Sequence, residues 1–382
     1  MAPTSNLEQH MAVFGESGSG KTVMLSSFYG ATQEPEFLKK SLFHVVAADL
    51  GDGARLHRNY LGMRDSGRVP QETRFGSTSH SFNIKLKDSP SPGRQGAKPF
   101  ESMRLVWHDY PGSWFEGSVT GPEEAHRRID TFRTLLSADV ALLLVDGQRL
   151  LDNAGEEERY LRSLLANFRN GFLALKDDIL DDGKPLVQFP RIWLLALSKA
   201  DLFPDMNVYK FRDLVIEKAA DDLVELKDVI AGFVEAREAL SVGEDYLIIS
   251  SAKFDSDSIE VSQRIGLDVV LPLAATLPIE RHARWIKTLD IPRRVAEGLA
   301  GNSELLARAI LSMKIQLPGP LGALLNLVGP SLLQAAASLA GEQLRTAHKT
   351  AVDRHDNLTA MLTHFRIDLE TAQDRRVFHR SL

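Results

Sequence analysis

The eight residues Gly15-Glu16-Ser17-Gly18-Ser19-Gly20-Lys21-Thr22 fit the pattern G-x-x-x-x-G-K-[ST]. Glycines at these positions let successive backbone N–H groups curl around phosphate oxygens, and the start of a following helix adds positive potential. Lys21 can then reach the β- and γ-phosphates, while the Thr22 hydroxyl can ligate a magnesium ion. A Gly/Ser turn that fits by chance is the plainer reading. Against it, the stretch lies between an apolar run, MAVF (11–14), and a helical pattern at 20–29, which is the context a phosphate loop requires. Three later stretches also follow apolar runs: Asp109-Tyr110-Pro111-Gly112, Ser198-Lys199-Ala200-Asp201 and Ser250-Ser251-Ala252-Lys253.

The elements that must hold these stretches are short apolar runs separated by helical patterns. The strand candidates are 11–14, 43–48, 82–86, 103–108, 139–146, 191–198 and 245–250, and the main helical patterns are 20–29, 123–137, 156–175 and 208–240. Such alternation predicts a three-layer α/β fold with a mostly parallel sheet. The runs FNIKL and MRLVWH have no helix between them, only a Ser/Pro/Gly-rich stretch, so one antiparallel edge strand is expected there. Strand signals stop after about residue 255, and 281–289, 293–314 and 342–380 read as helical. In the last of these Leu358, Met361, Leu362, Phe365 and Leu369 share one helical face. The expected organisation is a domain at 8–255 and a helical C-terminal region at 256–382.

The order and spacing of the four stretches resemble those of P-loop GTPases of the translation-factor and Ras-related (TRAFAC) class, over about residues 8–255. The resemblance implies specific roles. Ser198, Lys199 and Asp201 resemble the N/T-K-x-D motif, in which the aspartate accepts two guanine N–H groups and the lysine stem packs on the base. Adenine lacks those donors, and an unmatched polar site of this kind can discriminate by roughly 10⁴-fold. Serine at 198 replaces the usual asparagine, which implies a weaker loop-tethering hydrogen bond. Ser251, Ala252 and Lys253 resemble the S-A-K loop whose backbone N–H meets guanine O6. Asp109 would hold magnesium through a water, and the Gly112 N–H would bind the γ-phosphate. A switch threonine should contact magnesium with its hydroxyl and the γ-phosphate with its N–H. Among Thr32, Thr73 and Thr78, Thr73 fits best, with an ordinary loop threonine as the alternative. Catalysis would then rest on Lys21, Thr73 and Gly112, and the metal on Thr22, Thr73 and Asp109, with Mg²⁺ as the cofactor and GTP and GDP as ligands.

Two departures matter. The stretch FHVVAADLGDGARLHRNYLGMRDSG (43–67) predicts an extra strand and helix inside the first switch region, which a minimal domain of this class lacks. Ser113 stands where a water-orienting glutamine is usual, and serine is too short for that task. Hydrolysis is then either slow alone, on the order of 10⁻³ s⁻¹ or less, or completed by a residue from elsewhere or from a second subunit. Arg68, Arg74, Arg127 and Arg128 are candidate charge donors within the chain, each with a plain surface role as the alternative. The string around DYPG-x-W also resembles bacterial stress-associated GTPases of the YcjX type and GTPase domains of bacterial conflict systems, which implies a stress or defence role.

Composition excludes some functions. Of 382 residues, 45 are basic and 51 acidic, giving a net charge of −6, so a general nucleic-acid surface is not expected. The chain has no cysteine, which removes disulfides and thiolate metal sites and fits the cytoplasm. The N-terminus shows no basic-then-apolar leader pattern. From Ile315 to Gly341 run 27 uncharged residues, but Pro318, Pro320 and Pro330 break them into pieces too short to span a bilayer. A buried helical hairpin against the domain or a protein partner is one reading. The other is a nucleotide-controlled membrane or self-association contact, as in dynamin-like proteins. His108 reads as a packed strand residue, and His355, His364 and His379 form no metal-like cluster.

Overall fold

The computed structural model describes residues 7–70, 78–87, 102–109, 112, 121–255, 258–289, 291–292, 294–296 and 357–381. The switch threonine Thr73, Arg74, Ser113, His355 and the uncharged segment 315–341 lie outside the described residues.

The strands form where apolar residues run together. β5 (Val140–Asp146) and β6 (Ile192–Ser198) are buried at every position, as strands covered by helices on both faces must be. By contrast β2 (Phe43–Ala47) alternates buried and exposed residues, the pattern of a strand covered on one face. With β1 (Leu7–Phe14), β3 (Thr78–Leu86), β4 (Ser102–Asp109), β7 (Ser241–Ile248) and β10 (Phe378–His379) they make one eight-stranded sheet, in the order β10-β7-β6-β5-β1-β4-β3-β2. A small separate hairpin pairs β8 (Lys253–Phe254) with β9 (Ile259–Glu260).

The α/β, mostly parallel architecture expected from sequence is what the chain adopts. β1 pairs in parallel with β4 and β5, β5 with β6, and β6 with β7. The reversed strand is β3, antiparallel to β4. Beyond it lies β2, antiparallel to β3, and a second reversal occurs at the opposite edge, where β10 pairs with β7. The extra strand and helix foreseen after residue 43 are β2 and α3 (Leu50–Ser66), preceded by the short α2 (Pro35–Lys40). Asp49 caps α3, its carboxylate accepting the Asp52 N–H.

Helices cover both faces. On one, α1 (Lys21–Thr32), α8 (Val270–Thr288) and α9 (Asn357–Asp374) bury Phe28, Leu273 and Phe365 in one cluster with Met11, Leu142 and Leu194 of the sheet. On the other, α4 (Pro122–Leu135), α6 (Glu157–Ile179) and α7 (Val208–Ala231) pack Phe132, Phe168 and Phe211 against Phe14, Leu143 and Trp193. The apolar face foreseen near the C-terminus is seen in Met361, Phe365 and Leu369, all buried. The elements after residue 255 thus share the core of the sheet, and β10 extends it. Helix α8 begins eleven residues before the expected 281, because the apolar run VLPLAATLPIE is helical despite Pro272 and Pro278. The Thr276 hydroxyl donates to the Pro272 carbonyl within it.

Candidate nucleotide-binding site

Strands β2, β3 and β4 lie on one side of β1, and the chain then continues through β5, β6 and β7 on the other. Ligands bind α/β sheets at such a reversal, outside the carboxyl ends of the strands. All four sequence stretches lie at that edge: the phosphate loop after β1, Asp109 at the end of β4, Ser198–Asp201 after β6, and Ser250–Lys253 after β7.

The phosphate loop is closed by its own lysine. Lys21 is buried, and its ammonium donates to the carbonyls of Gly15 at 2.8 Å and Glu16 at 3.0 Å. Gly18 and Gly20 have φ of 78° and 93°, left-handed values that explain glycine at both positions. A Cβ on Gly15 would lie 2.6 Å from Ser19 Oγ. Thr22 stands in the first turn of α1, and Asp109 ends β4, the neighbour of β1. Hydroxyl and carboxylate oxygens are the donors a magnesium ion takes alongside substrate phosphates and water, so this pair fits the ion expected here. Among the described residues there is no cluster of three or more His, Asp or Glu that would make a separate metal site.

Gly112 meets the loop directly. A Cβ there would lie 2.5 Å from Ser17 N, 2.6 Å from Glu16 C and 2.7 Å from Glu16 O. Those atoms are backbone, so only glycine can sit this close. Thr32 and Thr78 occupy other places: Thr32 is buried within α1 and donates to the Tyr29 carbonyl, and Thr78 opens β3 opposite Asp109.

The base end is built from side chains. Ser250 Oγ donates to Asp201 Oδ1, and the Phe254 N–H donates to Oδ2 at 3.2 Å. The Ser250 hydroxyl also lies 2.6 Å from the Ala252 carbonyl, but it has one proton and the carboxylate is the stronger acceptor. Lys199, with φ of 53°, sends its ammonium to Asp146 at 2.8 Å and 3.0 Å. Ser198 donates to the Val145 carbonyl at 3.3 Å. Ser251 and Ala252 are buried in the loop after β7, and Lys253 pairs with Asp255 at 3.2 Å.

Asp146, Arg149 and Tyr160 of this edge lie in no motif stretch, and Ser250, which opens the last stretch, had no role in the motif reading. The first two belong to the turn from β5 into α5 (Gly147–Asp152). Asp146 caps α5 by accepting the Gln148 N–H and receives Lys199. Gly147 lets the turn touch the next loop, since a Cβ there would lie 2.4 Å from the Ser198 carbonyl. Arg149 pairs with Glu16 at 2.9 Å and donates to the Ser17 carbonyl at 3.3 Å. Tyr160 donates to the second Glu16 oxygen at 3.3 Å and accepts from the Asp146 N–H. Burial, reinforced by the Glu16 charge, pushes the Tyr160 phenol well above its usual range, which keeps it a donor. The turn thus ties the phosphate loop to the base loop. Its one sequence signal was an aspartate closing the run DVALLLVD between two motif-bearing strands.

Three of the four arginine candidates lie among the described residues. Arg128 is buried and pairs with Glu124 of its own helix at 2.6 Å. Arg127 and Arg68 are exposed, Arg127 bonding the Glu123 carbonyl. His108 is packed in β4, between His10 at 3.0 Å and Ser79 at 2.9 Å. Burial, with the neighbouring His10 and His80, pushes it down to about 4.

No helix among the described residues is long and apolar enough to cross a membrane. No protein-family model matches the chain, and no curated protein does. Among solved structures, a chain of the signal recognition particle receptor SRb-GTP/SRX complex from Chaetomium thermophilum is 15% identical with a TM-score of 0.31, covering 65% of this chain and 92% of that one. A chain of an oligomerised bacterial dynamin pair, described as a mechanism for long-range sensing and tethering of membranes, is 14% identical with a TM-score of 0.26, covering 97% and 58%. Scores of this size do not by themselves establish a shared fold.

Proposed function

We propose that this chain is a magnesium-dependent GTP-binding and GTP-hydrolysing switch. The observation that carries the reading is the base end: an aspartate whose two oxygens are each held by a separate donor, Ser250 Oγ and Phe254 N–H. It stands at the same sheet edge as a lysine-closed phosphate loop. A fixed pair of acceptor oxygens suits the N1 and N2 hydrogens of guanine, an adjacent donor pair that adenine lacks. In this reading Ser198 and Lys199 flank the base, and the loop Ser251–Lys253 offers backbone to O6.

Gly15 to Thr22 would wrap the phosphates, with Lys21 leaving the Gly15 and Glu16 carbonyls for the β- and γ-oxygens. Thr22 and Asp109 would hold the magnesium ion, with Thr73 joining them, and the ion would neutralise phosphate charge. Gly112, set against Ser17, would sense the γ-phosphate through its N–H, so that loss of the phosphate releases the segment that follows. We assign residues 8–255 to the nucleotide domain and 256–382 to an effector or self-association surface, in a cytoplasmic protein with peripheral membrane contact as a variant of the same scheme. The stress or defence role suggested by the DYPG stretch belongs to this proposal.

A second reading is favoured by one feature, the short Ser113 after Gly112: a module that holds GTP without hydrolysing it. Single-turnover hydrolysis of GTP with magnesium, measured across a range of protein concentrations, separates the two. Phosphate release supports the switch, and a rate that rises with concentration adds completion by self-association. Bound GTP that stays intact at every concentration supports the holding module.

A further inference from the structure

We propose that Arg149 supplies, from within the chain, positive charge at the γ-phosphate during hydrolysis. This rests on the GTPase reading above. Its guanidinium donates to the Ser17 carbonyl at 3.3 Å and pairs with Glu16 at 2.9 Å. Ser17 and Glu16 are also the two residues against whose backbone Gly112 is packed. The γ-phosphate sensor and this arginine therefore converge on the same two positions of the phosphate loop.

The chemistry asks for such a group. In hydrolysis the water oxygen bonds to the γ-phosphorus while the bond to the β–γ bridging oxygen breaks. The electron pair of that bond stays on the β-phosphate of GDP, and the water proton leaves with the released phosphate. Charge accumulates on the γ-oxygens and the bridge during this exchange, and a guanidinium there is worth 10³–10⁵ in rate in enzymes of this chemistry. Its planar fork presents two parallel N–H groups to two oxygens, a fixed geometry that an ammonium lacks.

The side chain is placed to move. It retains 38% exposure, whereas its partner Glu16 retains 8% and is held from the other side by Tyr160. Glu16 is the fixed member of the pair, and Arg149 lies at the rim. A triphosphate carries more negative charge than one carboxylate, so its arrival would draw the guanidinium from Glu16 toward the γ-oxygens. Arg128 is the more buried of the two arginines, with its side chain 9% exposed and bonded to Glu124.

The test compares the full chain with Arg149→Ala and Arg149→Lys in three readouts: single-turnover GTP hydrolysis, capture of aluminium fluoride by the GDP complex, and GDP affinity. Arg149→Ala should slow hydrolysis by on the order of 10³-fold and abolish aluminium fluoride capture. GDP affinity should stay within about threefold, because the lost interaction belongs to the transition state. Arg149→Lys should recover only part of the rate. An active wild type with Arg149→Ala equally fast and equally able to capture aluminium fluoride overturns the assignment and leaves the GTPase reading intact. A GDP affinity that falls in step with the rate also overturns it, reducing Arg149 to a brace for the loop. A wild type that neither hydrolyses GTP nor captures aluminium fluoride overturns both.

Discussion

At the phosphate end of the site, Gly15 to Thr22 and Gly112 present backbone, shaped by two left-handed glycines and by one contact too close for any Cβ. At the base end the working groups are side chains, Asp201 and Lys199, each fixed by a partner from a different strand end. In the proposed reading the difference follows from what would be bound. Phosphates are common to every nucleotide and are met by N–H groups and a helix start, while a base is identified only by fixed acceptors whose mismatch is costly. The phosphate end should therefore fail when space is taken from it, and the base end when a single atom is exchanged.

The largest expected effect tests the base end. Asp201→Asn replaces one acceptor oxygen with a donor, and competition binding should show preference moving from guanine to xanthine nucleotides, with GTP weakened by up to roughly 10⁴-fold. At the phosphate end Gly112→Ala forces a methyl against the Glu16–Ser17 backbone. Overpacking of about 1–3 kcal/mol predicts GTP-analogue binding weakened by roughly 5- to 150-fold with GDP binding retained, measurable by calorimetry. An equal loss for both nucleotides would mean that Gly112 supports the loop and does not sense the last phosphate. The smallest effect is at Ser250. Ser250→Ala removes one donor from Asp201 and leaves Phe254 N–H in place, so GDP affinity should fall by about 1 kcal/mol, near fivefold, without a change in base preference.

The same contrast governs what could be read from sequence. The phosphate loop was legible because its geometry forces glycines at fixed spacing, and the sheet because β5 and β6 are apolar up to their last residues, Asp146 and Ser198. The inserted β2 and α3 were legible from an apolar run followed by a helical pattern closed by Gly67. The network behind the motifs was not. Tyr160 reaches Glu16 across 144 positions and Arg149 reaches Ser17 across 132, and no local pattern marks such pairs. Ser250 is adjacent to the S-A-K residues, yet it is the one that meets Asp201, a choice set by how the chain leaves β7. The place of β10 beside β7 was equally hidden, since two paired residues leave no periodic signal.

The central claim is that this edge of the sheet selects guanine. The most direct measurement is the affinity of the wild-type chain for GDP and GTP against ADP and ATP, with magnesium present, in one titration series. The account predicts tight binding of both guanine nucleotides and binding of the adenine nucleotides weaker by several orders of magnitude. Equal affinity for the two bases, or preference for adenine, would contradict it.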